Sequence, residues 1–340
     1  MSKKWRCYQM SKMKYFILAL VLVLAISFVG SGCSKQQGQK VRLIEVTHSI
    51  FYAPQYVAIY EGYFEEEGIE IELTTGEGAD KVMTAVLADQ ADIGFMGPEA
   101  AIYVYNEGRD DYAQVFAQLT QTDGSFLVGR QEEPDFKWEN LRGKTIIGGR
   151  KGGVPLMTLE YVLKKHGLTP GVDVEVLTNV QFALMAGAFT GGTGDYVTLF
   201  EPVASTLENE GSGHVVASVG VAAGNVPYTV YAAKKSFVEK NKDLIQRFTN
   251  AIYKGQQFVK EKSPEEIAKA IQPAFPDSDL DLLTQVVKRY KDQDSWAADP
   301  ILNEEDFNHL QDIMEMAGEL DKRAPYDELI NNEFAEKATK

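Results

Sequence analysis

His48, Tyr52 and Tyr56 stand close together, directly behind the apolar stretch Val41–Thr47. An imidazole can donate and accept a hydrogen bond, and a tyrosine combines a flat face with a hydroxyl at its edge. This trio suits recognition of a planar, polar small molecule, although Tyr56 could equally pack against a sheet. Gly97-Pro98-Glu99 forms a second candidate behind the short apolar run Ile93–Met96. Gly97 lets backbone approach a ligand closely, and Glu99 puts a carboxylate at a helix start, where the dipole favours it even without one.

Other chemistry is excluded or unsupported. Cys7 and Cys33 are the two cysteines, both near the N-terminus, so the body has no disulfide, thiol nucleophile or thiolate metal site. No His-Glu-x-x-His, Gly-x-Ser-x-Gly or glycine-rich loop cradling a phosphate occurs. His166, His214 and His309 are scattered and read as exposed or satisfied, and Trp138 and Trp296 as packing residues. No metal and no cofactor is expected.

The elements that position the candidates alternate between strand and helix patterns. Val41–Thr47, Ile69–Leu73 and Ile93–Met96 read as strands; a helix opened by Pro54, then Ala79–Ala88 and Glu99–Tyr105, read as the helices between them. A second series runs from Leu141 to Asn209, with a helix over Pro155–Lys165 and a strand over Asp195–Leu199. Two strand-like crossings join the series, Ala113–Leu119 into Phe126–Gly129 and Val215–Val219 with Tyr228–Ala233. Beyond Ser236 the pattern is helical. The fold expected is α/β: a two-lobed clamshell, each lobe a mostly parallel sheet flanked by helices, with a helical C-terminal tail returning to the first lobe. Ligand would bind between the lobes, at strand C-terminal ends and helix N-termini. Gln121, Thr122 and Asp123 lie on the outgoing crossing, and Asn225, Pro227 and Tyr228 on the returning one, as hinge, pocket wall or both.

The first 34 residues indicate export. Lys3, Lys4, Arg6, Lys12 and Lys14 precede an apolar run from Tyr15 to Val29, followed by Gly30-Ser31-Gly32-Cys33-Ser34. A basic head, a short apolar stretch and small residues at the cut describe a secretory signal. A cysteine in this place resembles the bacterial lipobox, with Gly30 where an aliphatic residue is usual, and Cys33 is the expected acylation site. Met13 would give a head of more usual length. With 34 basic and 49 acidic residues the chain carries −15, and removing residues 1–32 leaves about −20. That charge argues against nucleic acid and against adhesion to anionic lipid, so a covalent anchor is the expected membrane link. The expected division is residues 1–32 signal, 33–40 flexible tether, 41–120 with 230–340 the first lobe, and 121–229 the second.

The segment from His48 to Ile69, Ala91-Asp92-Ile93-Gly94, Trp138 to Ile146 and Phe200-Glu201-Pro202 together resemble solute-binding proteins of ABC importers. The family is the NMT1/THI5-like one, associated with nitrate, sulfonate, taurine and thiamine-pyrimidine uptake. The resemblance runs from about Val41 to Ala335. It implies a type II periplasmic-binding fold that captures a small solute, as a monomer, for ABC permease and ATPase subunits, at the outer face of the cell membrane. Lys151-Gly152-Gly153-Val154-Pro155 resembles the family loop that presents free N–H groups at a helix N-terminus. It suits anions or carbonyl acceptors and is not a phosphate-binding P-loop. Family matching supports Glu201 as a ligand or inter-lobe contact, with a partner for its carboxylate. Gly97, Glu99, Asp123, Gly152, Gly153, Val154, Glu201 and Tyr228 thus join His48, Tyr52 and Tyr56 as candidates.

Carboxylates and tyrosines together favour a donor-rich heterocycle such as a thiamine pyrimidine; helix N-termini would suit a sulfonate, taurine or nitrate instead. A pyrimidine-synthase-like enzyme resembles these binders in fold but uses a Cys-rich motif, a lysine-linked pyridoxal cofactor and iron, which a cysteine-free body does not support. An adhesin or scaffold would need repeats or exposed apolar patches, and none shows. Changing Cys33 to Ser is expected to release the protein from membranes. Fractionation after high-salt washing checks this; protein that still sediments with membranes would contradict acylation at Cys33.

Overall fold

The computed structural model describes residues 38–340. The expected signal segment, Cys33 and most of the expected tether lie outside the described residues. Two five-stranded sheets organise the rest. The first contains β1 (Gln39–Glu45), β2 (Ile69–Thr75), β3 (Ile93–Met96), β4 (Ala113–Thr120) and β10 (Thr229–Lys234), in the order β2-β1-β3-β10-β4. The second contains β5 (Ser125–Gly129), β6 (Thr145–Ile147), β7 (Glu175–Leu177), β8 (Tyr196–Phe200) and β9 (His214–Ser218), in the order β7-β6-β8-β5-β9. Helices cover both sheets, and this is the two-lobed α/β clamshell.

Burial explains the strands. β3 is apolar throughout and buried at all four positions, as a central strand covered on both faces must be. β1 alternates instead, burying Val41, Leu43 and Glu45. β1 pairs parallel with β3, and β6 with both β7 and β8. β10 runs antiparallel to β3 and β4, and β5 antiparallel to β8 and β9. The reversed strand in each sheet is the one entered by crossing from the other lobe, so its direction is set by the side from which the chain arrives.

Prolines sit in the first turn of helices Ala53–Tyr60, Val154–Lys165 and Pro264–Ile271, where no intrahelical N–H is lost. The helix opened by Pro54 closes at Tyr60, and Gly62, at φ 81°, stands at the N-cap of a separate short helix, Tyr63–Glu66. The tail departs from expectation. Helices Lys242–Glu261 and Glu333–Ala338 pack in the first lobe, but helix Glu304–Met316 lies against Val154–Lys165 of the second. Lys164 Nζ donates to Met316 O (2.5 Å), and the Tyr161 ring meets His309 edge-on.

Helix Lys242–Glu261 buries Leu244, Ile245, Phe248, Ile252, Gly255 and Val259, and packs against helix Ala53–Tyr60 among its neighbours. A Cβ at Gly255 would collide with the backbone carbonyl of Pro54. Gly255→Ala is therefore expected to destabilise by about 1–3 kcal/mol through overpacking. That outweighs the roughly 1 kcal/mol by which Ala exceeds Gly in a helix interior. Urea unfolding checks the direction; a raised midpoint would contradict the close approach.

Candidate functional site

The two crossings lie side by side. Val226 N donates to Gln121 O (2.8 Å), Tyr228 N to Thr120 O (3.1 Å) and Thr229 N to Thr120 Oγ1 (2.9 Å). A third segment joins them: Gln121 N donates to Ser295 O and Ala297 N to Leu119 O, both at 2.9 Å. Asp123 and Tyr228 emerge from this seam and are buried. Asp123 Oδ1 accepts from Ser125 N (2.6 Å) and Ser125 Oγ (2.5 Å), while its Oδ2 has no hydrogen-bond partner among the described residues. The Tyr228 hydroxyl interacts electrostatically with Asp123 but makes no well-formed hydrogen bond. Burial pushes the Asp123 carboxyl up to about 7, against the pull of Ser125 and of the Tyr228 hydroxyl.

Glu99 opens helix Glu99–Asn106 and is buried. Its carboxylate folds back over Gly97, where any side chain would collide with it. Burial pushes its carboxyl up to about 7. Stabilising the charge are its own N–H, that of Val154 across the cleft, the cation of Arg150 and the Ala100 N–H. Glu99 Oε2 has no hydrogen-bond partner among the described residues. Tyr52 is buried beside it, edge-on to Phe95 at 4.5 Å, and burial followed by the charges of Glu45 and Glu99 raises its hydroxyl pKa. Phe51 lies 5.8 Å from Tyr52, 5.7 Å from Tyr228, 5.9 Å from Phe200 and 5.0 Å from Tyr290, making an aromatic wall. Gly124 permits this, since a Cβ there would strike the Phe51 ring.

Polar contacts bridge the lobes. Tyr103 OH donates to Gly152 O (3.2 Å), Ser49 Oγ to Glu201 O (3.1 Å), and Arg150 pairs with Asp80 (3.2 Å). The structure thus gathers Tyr52, Gly97, Glu99, Asp123, Gly152, Gly153, Val154 and Tyr228 along one seam. No three His, Cys, Asp or Glu side chains gather as metal ligands among the described residues.

His48, Tyr56 and Glu201 are placed elsewhere. Buried Glu45 accepts from Gln55 Nε2 (2.7 Å) and Tyr56 OH (2.9 Å), and its Oε1 lies 3.0 Å from His48 Nδ1. His48 Nε2 lies 2.8 Å from Ala274 O, so the ring ties the end of β1 to the Gln272–Ala274 turn. The Glu45 hydrogen bond raises the His48 pKa. Glu201 is buried rather than lining an open cleft, and both its oxygens are engaged: Oε1 by Arg289 (2.7 Å) and Ser205 Oγ (2.8 Å), Oε2 by Ser205 N (2.9 Å). Arg289 also binds Glu208 at 2.7 Å. The Glu201 carboxylate therefore ties the second lobe to helix Leu280–Asp292.

Glu45, Phe51, Arg289 and Tyr290 were not among the sequence candidates. Glu45 had a signal, since it takes the third inward place in an otherwise apolar alternation. Tyr290 continues the buried face of Leu283, Val286 and Val287. Phe51 and Arg289 had no local signal.

Because the carboxyls of Glu99 and Asp123 are raised to about 7 from 4.5 and 3.8, the native state holds extra protons between the two limits. Their contribution to stability is present below about pH 4 and lost as pH rises through 7. The double variant Glu99→Gln, Asp123→Asn is expected to gain thermal stability over the parent at pH 8 and to match it more nearly at pH 5. Parallel melting curves at both pH values, with an unchanged difference, would contradict the burial of these charges.

The description "NMT1/THI5 like" fits residues 50–267 of the chain. "Putative binding protein YtlA" of Bacillus subtilis (strain 168) is 48% identical over 322 residues, covering 94% of this chain and 96% of that one. The alkanesulfonate-binding protein SsuA of Xanthomonas axonopodis pv. citri, solved bound to MOPS, superposes with TM-score 0.70 at 15% identity, over 87% of this chain and 99% of its own. The periplasmic nitrate-binding protein NrtA of Synechocystis PCC 6803 superposes with TM-score 0.69 at 14% identity, over 89% of each. These two likenesses are of fold, the periplasmic-binding-protein type II clamshell. The family match over most of the described chain, together with near-complete coverage at 48% identity, establishes that this protein belongs to the NMT1/THI5-like family.

Proposed function

We propose that this chain is the extracytoplasmic solute-binding component of an ABC importer. It captures a small molecule between its lobes and delivers it to permease and ATPase subunits. It acts as a monomer and is held to the outer face of the cell membrane by acylation at Cys33. One observation carries the binding role: among the described residues Glu99 Oε2 is buried without a hydrogen-bond partner, and Asp123 Oδ2 and the Tyr228 hydroxyl are buried facing each other with no well-formed bond to any other group, along a single inter-lobe seam. Buried polar groups are normally satisfied, and an unsatisfied set is costly unless something completes it. A bound solute would complete it.

The groups around the seam are acceptors and aromatic faces, which supports binding rather than turnover. They suit a planar heterocycle that donates hydrogen bonds, such as a thiamine pyrimidine precursor. The second reading, a sulfonate-, taurine- or nitrate-type anion, draws on the Val154 N–H and on Arg150. The family and the named binders that share the fold support the transport class and leave both solutes open.

Native mass spectrometry of the protein as purified is expected to show a retained small molecule. With that molecule, Asp123→Asn is expected to weaken binding about 10- to 100-fold by removing a charged acceptor. Tyr228→Phe should weaken it about 2- to 10-fold, the value of an ordinary hydrogen bond, with no turnover in any variant. Unchanged affinity in both variants, measured by calorimetry, would remove the seam as the binding site.

A further inference from the structure

A helix N-terminus favours negative charge, because its first N–H groups are unpaired and its dipole points positive. Helix Val154–Lys165 presents such an end to the first lobe. The group facing it is the chain's own: the buried Glu99 carboxylate, on the helix whose Tyr103 bonds Gly152 O just before that end, and on which the Val154 N–H acts favourably. Its surroundings keep it in place. Gly97 has no side chain to obstruct it. Tyr103, one turn further along the same helix, donates its hydroxyl to Gly152 O and so fixes the loop that leads into the opposite helix. Arg150, the cation that acts on Glu99, is also paired with Asp80 of the first lobe. Glu99 Oε2 is buried and has no hydrogen-bond partner among the described residues.

We infer that Glu99 sets the charge class of the solute: it fills the anion seat at the N-terminus of helix Val154–Lys165 and offers its second oxygen to a donor. A sulfonate or carboxylate solute would have to displace it or lie against like charge. A neutral or cationic solute bearing N–H groups would meet a ready acceptor. This inference rests on the solute-binding reading and chooses between its two solute classes.

Methanesulfonate titrated by calorimetry at pH 8.5, where the raised Glu99 carboxyl is ionised, into dialysed wild-type protein, Glu99→Gln and Glu99→Ala tests it, with circular dichroism confirming that each variant is folded. Glu99→Gln keeps the shape and removes the charge, while Glu99→Ala also empties the seat. Both variants are expected to bind methanesulfonate about 10- to 100-fold more tightly than the wild type, the scale of one charge-assisted hydrogen bond. Equal affinity in all three proteins, or no binding in any, would overturn the inference. So would a gain confined to Glu99→Ala, because bulk rather than charge would then guard the seat. A retained solute in the wild type without a gain in the variants would reject the role of Glu99 and leave solute binding standing. A gain in both variants supports the role of Glu99 whether or not the purified wild type retains a solute.

Discussion

The seam between the lobes depends on hydrogen bonds among three backbone segments, Leu119–Gln121, Val226–Thr229 and Ser295–Ala297. Buried peptide groups need partners, and here each crossing satisfies the others. Thr120, Gln121 and Tyr228 thus have their positions set by backbone pairing rather than by side-chain choice. Asp123 follows two residues after Gln121, so it inherits that position. The reversed strands β5 and β10 follow from the same arrangement, since each continues a crossing into the sheet it enters.

Four buried carboxylates show how differently one cost can be met. Glu201 has a cation, a hydroxyl and a backbone N–H. Glu45 has a tyrosine, a glutamine amide and an imidazole. Burial of such groups is tolerated when every oxygen is occupied. Asp123 and Glu99 are each left with one oxygen unpartnered. Glu99 and Asp123 keep their open oxygens at the seam, whereas Glu201, whose backbone carbonyl also meets Ser49 across the lobes, has its whole carboxylate engaged. Completeness of hydrogen bonding therefore separates a candidate binding group from a structural one more sharply than residue type does.

The sequence made the alternation of strand and helix legible because apolar period and proline placement are local properties. It also made the family legible, through segments such as His48–Ile69 and Phe200-Glu201-Pro202. The division of roles among the acids was not legible. Glu201 and Glu99 each follow a strand and open a helix region, so position alone gives them the same reading. Arg289, which decides the matter for Glu201, is 88 residues further along the chain. His48 was similarly ambiguous, since its ring is turned by Glu45 on one side and by the Ala274 carbonyl on the other. Such contacts depend on tertiary approach and leave no trace in spacing.

The path of the C-terminal region has a mechanical consequence. Helix Glu304–Met316 is fastened to the second lobe through Lys164 and Tyr161. A few residues later Asn106 of the first lobe holds Lys322 O at 2.6 Å, and Asn331 N donates to Val115 O at 2.8 Å. Any separation of the two lobes along this edge must be taken up by the chain between Met316 and Lys322, or else one fastening must give way. That short stretch limits the angular stroke of the jaws much as a check strap limits a door.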